Sequence, residues 1–160
     1  MASLLGAVLG TGEGSRLAHA LVREQQLASE ATAFTFDLAK GSDLLVCDVT
    51  ARPGVAPATL EAAVVAEIDR LLRDGVRPEE RERALAQFET AWVSGLQSVG
   101  ARADKLSQFA TYKGDAGAVN DELAPASRGE RRRWRASRAR AGEENRASLL
   151  YVPRAAAEAA

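Results

Sequence analysis

The chain has 160 residues, of which 46% are hydrophobic and 27% are charged, and its formal net charge is −1. These values are typical of one ordinary globular domain, or of a large part of one. They exclude a general attraction to nucleic acid or to anionic membranes, and no stretch approaches the roughly 18 apolar residues of a membrane helix. Cys47 is the only cysteine, so no intrachain disulfide is expected, which suits a cytoplasmic location.

The first predicted elements are two helices joined by a glycine-rich turn. Residues 2–9 are apolar and predict a short helix, which the sequence 10–14, Gly-Thr-Gly-Glu-Gly, ends. Ser15 is placed to cap a second helix that runs to about Glu24. The residues expected on its buried side are Leu17, Leu21 and Val22.

A change to a period of two residues then predicts a β-hairpin. Residues 33–38, Ala-Phe-Thr-Phe-Asp-Leu, alternate large apolar with polar side chains, as in a half-buried strand. Residues 40–43, Lys-Gly-Ser-Asp, are typical of a turn. Residues 44–50 then form a second and more deeply buried strand. An antiparallel pair is the simplest interpretation.

A helical block follows the hairpin. One helix is predicted from about Pro57 to Asp74 with Gly75 as its C-cap, and the next begins near Pro78. Their expected buried faces are Leu60, Val64, Ile68, Leu71 and Leu72 on the first, and Leu85, Phe88, Trp92, Leu96 and Val99 on the second. A third helix carries Leu106, Phe109 and Ala110 and ends at Gly114, before a short helix near residues 116–123.

The C-terminal part divides into three predicted segments. Residues 125–145 are irregular and Arg-rich, residues 146–154 predict a closing strand, and residues 155–160 form a disordered tail. Helices, a hairpin and then a helical block predict an α+β fold. In this fold an antiparallel sheet, made of the hairpin and the C-terminal strand, packs against a helical layer.

The Arg-rich segment has three interpretations. It is a disordered or mistranslated tail, a nucleic-acid contact in which Trp134 stacks on a base, or a contact with a protein partner. Glu130, Glu143 and Glu144 dilute its positive charge, so nucleic acid is not the expected partner. Its Arg residues between positions 125 and 140 are Arg128, Arg131, Arg132, Arg133, Arg135, Arg138 and Arg140.

The chain has too few ligands for zinc catalysis. A zinc peptidase needs two imidazoles one helical turn apart, a further carboxylate ligand and a glutamate base. His19 is the only histidine, and Cys47 has no partner cysteine. No catalytic residue, metal ligand or cofactor is therefore expected in this chain alone.

The glycine-rich turn could in principle hold a phosphate at a helix N-terminus. However, a helix rather than a strand precedes it, no Lys follows it, and Glu13 would repel a phosphate. We interpret it as a tight turn between two helices that requires positive φ angles.

Several motifs, in the same order along the chain, resemble the insulinase/pitrilysin family of zinc peptidases. Residues 9–17, Leu-Gly-Thr-Gly-Glu-Gly-Ser-Arg-Leu, and residues 21–28, Leu-Val-Arg-Glu-Gln-Gln-Leu-Ala, are similar to the family's Gly-Gly-Gly-x-Ser-Ser-Arg-Leu and Leu-Arg-Glu-Lys-x-Gly-Leu-Ala. Residues 78–84, Pro-Glu-Glu-Arg-Glu-Arg-Ala, resemble its Thr-x-x-Glu-x-x-Arg-Ala helix start. Similarity continues through residues 106–121, and residues 145–153 look like its closing strand.

The resemblance implies the second half, residues 1–124, of a C-terminal domain that carries no zinc. Zinc would belong to a catalytic partner domain with a His-x-x-Glu-His motif. The expected function is a non-catalytic domain or fragment that holds peptide substrate or scaffolds such a partner. The expected partners are a peptide or protein substrate and either a catalytic peptidase domain or further copies of this chain. The alternatives are nucleic-acid binding and a degraded gene product with no independent role.

The resemblance also implies one candidate substrate contact, Arg23. In the family's C-terminal domain, an Arg at this place and a Tyr further along reach the substrate near the zinc. The Tyr does not carry over, because Ser29 stands where it would align. Arg23 could still hold a peptide carbonyl or carboxylate through its planar guanidinium, or be a solvated charge at a helix end.

Overall fold

A computed structural model describes residues 2–38, 42–121 and 145–151. Through residue 121 the order of elements is the predicted one, and the described residues form an α+β fold with a two-stranded antiparallel sheet. The elements are α1 (Ala2–Gly10), a π-helix (Ala18–Glu24), β1 (Ala28–Leu38), β2 (Ser42–Ala51), α2 (Pro57–Asp74), α3 (Pro78–Gly95), α4 (Val99–Lys113) and a 3₁₀ helix (Ala116–Asp121). None of the described helices is long and apolar enough to cross a membrane.

Helix α1 packs directly against the backbone of the hairpin. A Cβ atom on Gly10 would lie 1.7 Å from the backbone nitrogen of Ala33, and one on Gly6 would lie 3.3 Å from the Cα of Phe34. These distances mean that only glycine at position 10 permits this approach of helix to strand.

The close approach decides which face of β1 is buried. Ala31 and Ala33 are 6% and 3% exposed, whereas Phe34 and Phe36 are 43% and 50% exposed. The alternating pattern correctly predicted a half-buried strand, and the two phenylalanines lie on its more exposed face. No aromatic ring fits between α1 and a strand at this distance, so the alanine face is turned inward.

The main core lies between α1, the π-helix, the hairpin and α2. In β2, Leu45, Cys47 and Val49 are partly buried against this core. Its fully or largely buried members are Leu5, Val8, Leu9, Leu17, Leu21, Ala28, Ala31, Ala33, Leu60, Leu71 and Ala84. The predicted buried stripe of α2 is thus confirmed at Leu60 and Leu71.

The predicted ends of α2 and α4 are confirmed. Gly75 has φ 82° and donates its N–H to the Leu71 carbonyl at 2.9 Å. Gly114 has φ 74° and donates to the Ala110 carbonyl at 3.1 Å. Both are glycine C-caps with a positive φ, and each N–H satisfies a carbonyl of the last turn.

Two predictions about the helices were wrong. The stripe from Leu85 to Val99 does not lie on one helix, because α3 ends at Gly95 and Val99 begins α4, where it is 77% exposed. Ser15 does not cap the second helix: its Oγ is buried and has no hydrogen-bond partner among the described residues, and that helix is a π-helix without a side-chain cap.

The predicted closing strand is not part of the sheet in the described residues. Residues 146–151 have no strand structure, and Leu149 and Tyr151 are 78% and 86% exposed. A strand requires hydrogen bonds to a neighbouring strand, and Arg146 instead forms an ion pair with Asp69 of α2. Residues 122–144 and 152–160 lie outside the described part, and with them most of the predicted Arg-rich segment and the predicted tail.

Candidate substrate-contacting site at the glycine turn

The glycine turn, residues 11–15, connects α1 to the π-helix. The Ser15 N–H donates to the Gly12 carbonyl at 3.1 Å, and Gly12 has φ 75°. The first four residues of the turn are exposed, and Ser15 is fully buried. The turn is therefore tight, as expected, and presents its glycine backbone and the Glu13 side chain to solvent.

Arg23, the predicted substrate contact, lies in the last turn of the π-helix. Its Nη2 donates to the Glu13 Oε2 at 2.5 Å, and the two side chains are 54% and 90% exposed. The guanidinium is thus held at the exposed glycine turn by a carboxylate that is itself almost fully solvated. Such an ion pair exchanges readily with solvent or with another acceptor.

Ser29, which aligns with the family's Tyr, lies on β1. Its Oγ donates to the Thr50 carbonyl of β2 at 3.3 Å. The hydroxyl therefore makes a contact within the hairpin, and the described contacts do not bring it to Arg23.

A buried ion pair joins the beginning of the second helix to α3. The Arg16 Nε and Nη2 each donate to one Glu80 carboxylate oxygen at 2.8 Å, and Nη2 also donates to the Gly75 carbonyl at 2.8 Å. The Arg77 backbone N–H and Nη2 also donate to Glu80, each at 2.9 Å. This clamp fixes the orientation of the glycine turn against α3.

The Glu80 carboxylate is ionised within this clamp. Burial of the carboxylate, which is 2% exposed, raises its pKa, but hydrogen bonds from Arg16 and Arg77 and the charge of Arg16 lower the pKa to about 2. Sequence reasoning did not predict this pair. Arg16 and Glu80 each lie in one of the family-like motifs, residues 9–17 and 78–84, and this was the only indication in the sequence that the two residues matter.

The described residues do not offer a zinc site. His19 Nδ1 lies 3.5 Å from the Glu24 Oε1, both side chains are 60% exposed, and no group of three or more His, Cys, Asp or Glu side chains in the described part could hold a metal. Burial raises the pKa of the Cys47 thiol to about 11, which disfavours the thiolate that zinc requires. Within the described part of the chain, these donors therefore do not match the ligands of a zinc site.

A cavity of about 320 Å³ lies between α3 and α4, away from the glycine turn. It is lined by Ala91, Trp92, Gly95, Leu96, Ala101, Asp104, Lys105 and Gln108. Lys105 Nζ lies 5.3 Å from the centre of the Trp92 ring. This lining contains no Ser, Cys or His, so the cavity has no Ser–His or Cys–His pair.

The arginine residues between positions 125 and 140 and Trp134 lie outside the described residues. The nucleic-acid alternative therefore remains a prediction from the sequence.

Comparison with family models matches residues 1–88 to the family described as "Peptidase M16 inactive domain". The curated proteins contain no match to this chain. The inactive peptidase domain of a candidate zinc protease from Bordetella parapertussis is 26% identical, with a TM-score of 0.81 over 96% of this chain and 83% of that chain.

Two further solved structures share the fold. A candidate zinc protease from Bordetella pertussis Tohama I is 24% identical, with a TM-score of 0.78 over 95% of this chain and 83% of that chain. A protease from Helicobacter pylori is 20% identical, with a TM-score of 0.71 over 86% of this chain, which spans only 33% of that protease. With its family match over more than half of its length, this chain belongs to the inactive domain family of the M16 peptidases.

Proposed function

We propose that this chain holds peptide substrate for the catalytic domain of an M16 zinc peptidase, and that Arg23 contacts the peptide. The observation that carries the proposal is the exposed Arg23–Glu13 ion pair on the glycine turn. A guanidinium presents several N–H donors in a plane, which suits a peptide carbonyl or carboxylate. Membership of the inactive domain family supports a role in binding rather than in catalysis.

The ion pair gives Arg23 a defined resting position. Glu13 orients the guanidinium in the free protein, and a peptide oxygen replaces Glu13 on binding. The exchange costs little because both side chains are well solvated before the peptide arrives.

The catalytic partner would supply the zinc and its ligands. This chain spans a third of the H. pylori protease, so a similar protein can contain much more than this domain. The partner in our proposal is therefore a domain with a His-x-x-Glu-His motif, on another chain or on another segment.

Fluorescence anisotropy with a panel of fluorescein-labelled unstructured peptides tests the role of Arg23. We expect Arg23→Ala to weaken binding about tenfold, which corresponds to the loss of one charge-assisted hydrogen bond. Arg23→Lys should recover only part of the loss, because Lys keeps the charge without the planar donors. Arg102→Ala, at an exposed position on α4, is the matched control and should bind as the wild type does.

Equal affinities for the wild type and Arg23→Ala would contradict the role of Arg23, and no binding by the wild type would contradict peptide holding. The scaffolding role is tested by adding this chain to a separately purified zinc domain from a neighbouring coding region. An increase in its peptidase kcat/KM is expected, and an unchanged value would contradict that role.

A further inference from the structure

Four buried polar atoms close to the glycine turn have no hydrogen-bond partner in the described part of the chain. They are Ser15 Oγ, Arg83 Nε, Arg83 Nη2 and Gln87 Oε1. Buried polar groups are almost always paired, so a group of orphaned atoms at one place requires a physical explanation.

Two of these side chains lie against the two inner glycines of the turn. The Arg83 Nη1 is 3.5 Å from the position that a Cβ on Gly14 would occupy, and the Gln87 Nε2 is 3.5 Å from the corresponding position on Gly12. Arg83 and Gln87 are four residues apart on α3 and therefore share one helix face. Ser15, which is fully buried, follows Gly14 directly.

Among the described residues, the two carboxylates near the turn, Glu80 and Glu13, pair with arginines other than Arg83. Glu80 is engaged by Arg16 and Arg77, and Glu13 is engaged by Arg23. An arginine side chain keeps its proton in proteins, so it cannot lose its charge by deprotonation. The two orphaned nitrogens, Nε and Nη2, form the edge of a guanidinium that matches the two oxygens of a carboxylate.

We infer that Arg83, Ser15 and Gln87 form a subsite that binds a carboxylate of a peptide ligand, and this inference rests on the proposed peptide-holding function. Arg83 donates from Nε and Nη2 to the two carboxylate oxygens, and the Ser15 hydroxyl adds a third donor. Gln87 Oε1 accepts an N–H of the same peptide. Access is through the exposed glycine turn, where Gly12 and Gly14 carry no side chain to block the ligand and the Glu13 carboxylate between them is paired with Arg23.

The carboxylate subsite can be tested without any peptide, by NMR on the ¹⁵N-labelled full chain titrated with sodium acetate at constant ionic strength. We expect saturable shifts of the Arg83 Nε–Hε signal and of the Gly14 and Ser15 amides. Acetamide, which has the same shape without the charge, should cause none. No shift at Arg83 with acetate, or an equal shift with acetamide, would overturn the inference.

Variants show whether Arg83 is the origin of the response. Arg83→Gln should lose the acetate shifts at Gly14 and Ser15, and its other signals should stay in place because the removed charge had no partner in the described contacts. Arg83→Lys should respond more weakly than the wild type, and Arg102→Gln should respond as the wild type does. Unchanged acetate shifts in Arg83→Gln would overturn the assignment to Arg83.

Peptide pairs identify the source of the carboxylate. One pair differs only in a free or amidated C-terminus, and the other only in an internal Asp or Asn. We expect about a tenfold loss of affinity for the neutral member of one pair, and that loss should be absent in Arg83→Gln. Peptide binding that depends on neither carboxylate would overturn this inference while the proposed function stands. Acetate binding without any peptide binding would overturn both the proposed peptide-holding function and the assignment of the subsite to a peptide carboxylate.

Discussion

Two regions of this protein both contain α-helices with a helical spacing of apolar residues, but they differ in how completely those apolar side chains are buried. In the hairpin region, residues 2–74, α1, the π-helix and α2 enclose a core with the hairpin, and all members of that core except Ala84 come from this region. In the helical region, residues 78–121, large apolar side chains such as Val93 and Val99 are more than half exposed. Helical periodicity is therefore similar in both regions, whereas close packing is concentrated in the first.

The difference in burial arises from how closely the helices of each region approach their neighbours. Gly10 brings α1 into backbone contact with β1, which excludes water from a continuous core. In the helical region, contact between the helices rests on an aromatic group, in which Trp92 lies 6.1 Å from the rings of both Phe88 and Phe109. Stability is therefore expected to depend mainly on residues of the hairpin region, and three predictions test this comparison.

The largest effect is expected for Gly10→Val. The first added carbon would lie 1.7 Å from the Ala33 backbone nitrogen, so α1 must move away from the sheet. We expect a loss of about 4 kcal/mol or more in the free energy of unfolding, measured by urea denaturation. Gly95→Ala is the matched control, since nothing lies within 4 Å of its Cβ position, and it should be neutral or stabilise by about 0.5 kcal/mol. Equal stability of the two variants would contradict the close contact.

The next effect compares a leucine from each region. Leu21 is fully buried and Leu106 is 39% exposed. Leu21→Ala should lower the free energy of unfolding by about 3 to 4 kcal/mol, and Leu106→Ala by about 1 kcal/mol. Similar losses would show that the two regions are equally well packed. A wild-type chain without a cooperative transition would instead favour the alternative of a degraded gene product.

A smaller effect is expected from the clamp that joins the two regions. The pKa of Glu80 is about 2 in the folded protein, below its ordinary value of 4.5, so ionised Glu80 stabilises the fold above about pH 4.5 and loses this contribution as the pH falls toward about 2. The difference between the two pKa values corresponds to about 3 kcal/mol.

Urea denaturation of the wild type and of Glu80→Gln over this pH range measures the contribution of the clamp. The variant should be less stable at neutral pH and should lack most of the decrease in acid. Glu79→Gln, at an exposed neighbouring position, is the control and should follow the wild type. A wild-type stability that does not change between about pH 4.5 and pH 2 would show that the clamp does not stabilise the fold.

Sequence reasoning predicted the local structure well where the signal was local. The end of α2 at Gly75 and the start of α3 at Pro78 depend on glycine and proline conformations, which a sequence shows directly. The break between α3 and α4 was missed because Leu85, Phe88, Trp92, Leu96 and Val99 keep a helical spacing across it. Periodicity alone does not show whether one helix or two carry such a stripe.

The candidate site was predicted only in part. Arg23 was found through a resemblance, and its role in binding remains a proposal. Its Glu13 partner, the Arg16–Glu80 clamp and the orphaned atoms of Ser15, Arg83 and Gln87 were not found. Arg16 and Glu80 are 64 residues apart, so no local pattern indicates that they touch.

The amino-acid sequence by itself determined the α+β class, the positions of most helix ends and the family of this domain, because each depends on local propensity or on motifs along the chain. Only the tertiary structure decided that the alanine face of β1 is buried and which charges are paired. It also decided that residues 146–151 do not join the hairpin, whose sheet has two strands in the described part. These outcomes depend on distances between residues far apart in the chain, above all on how closely Gly10 lets a helix approach a strand.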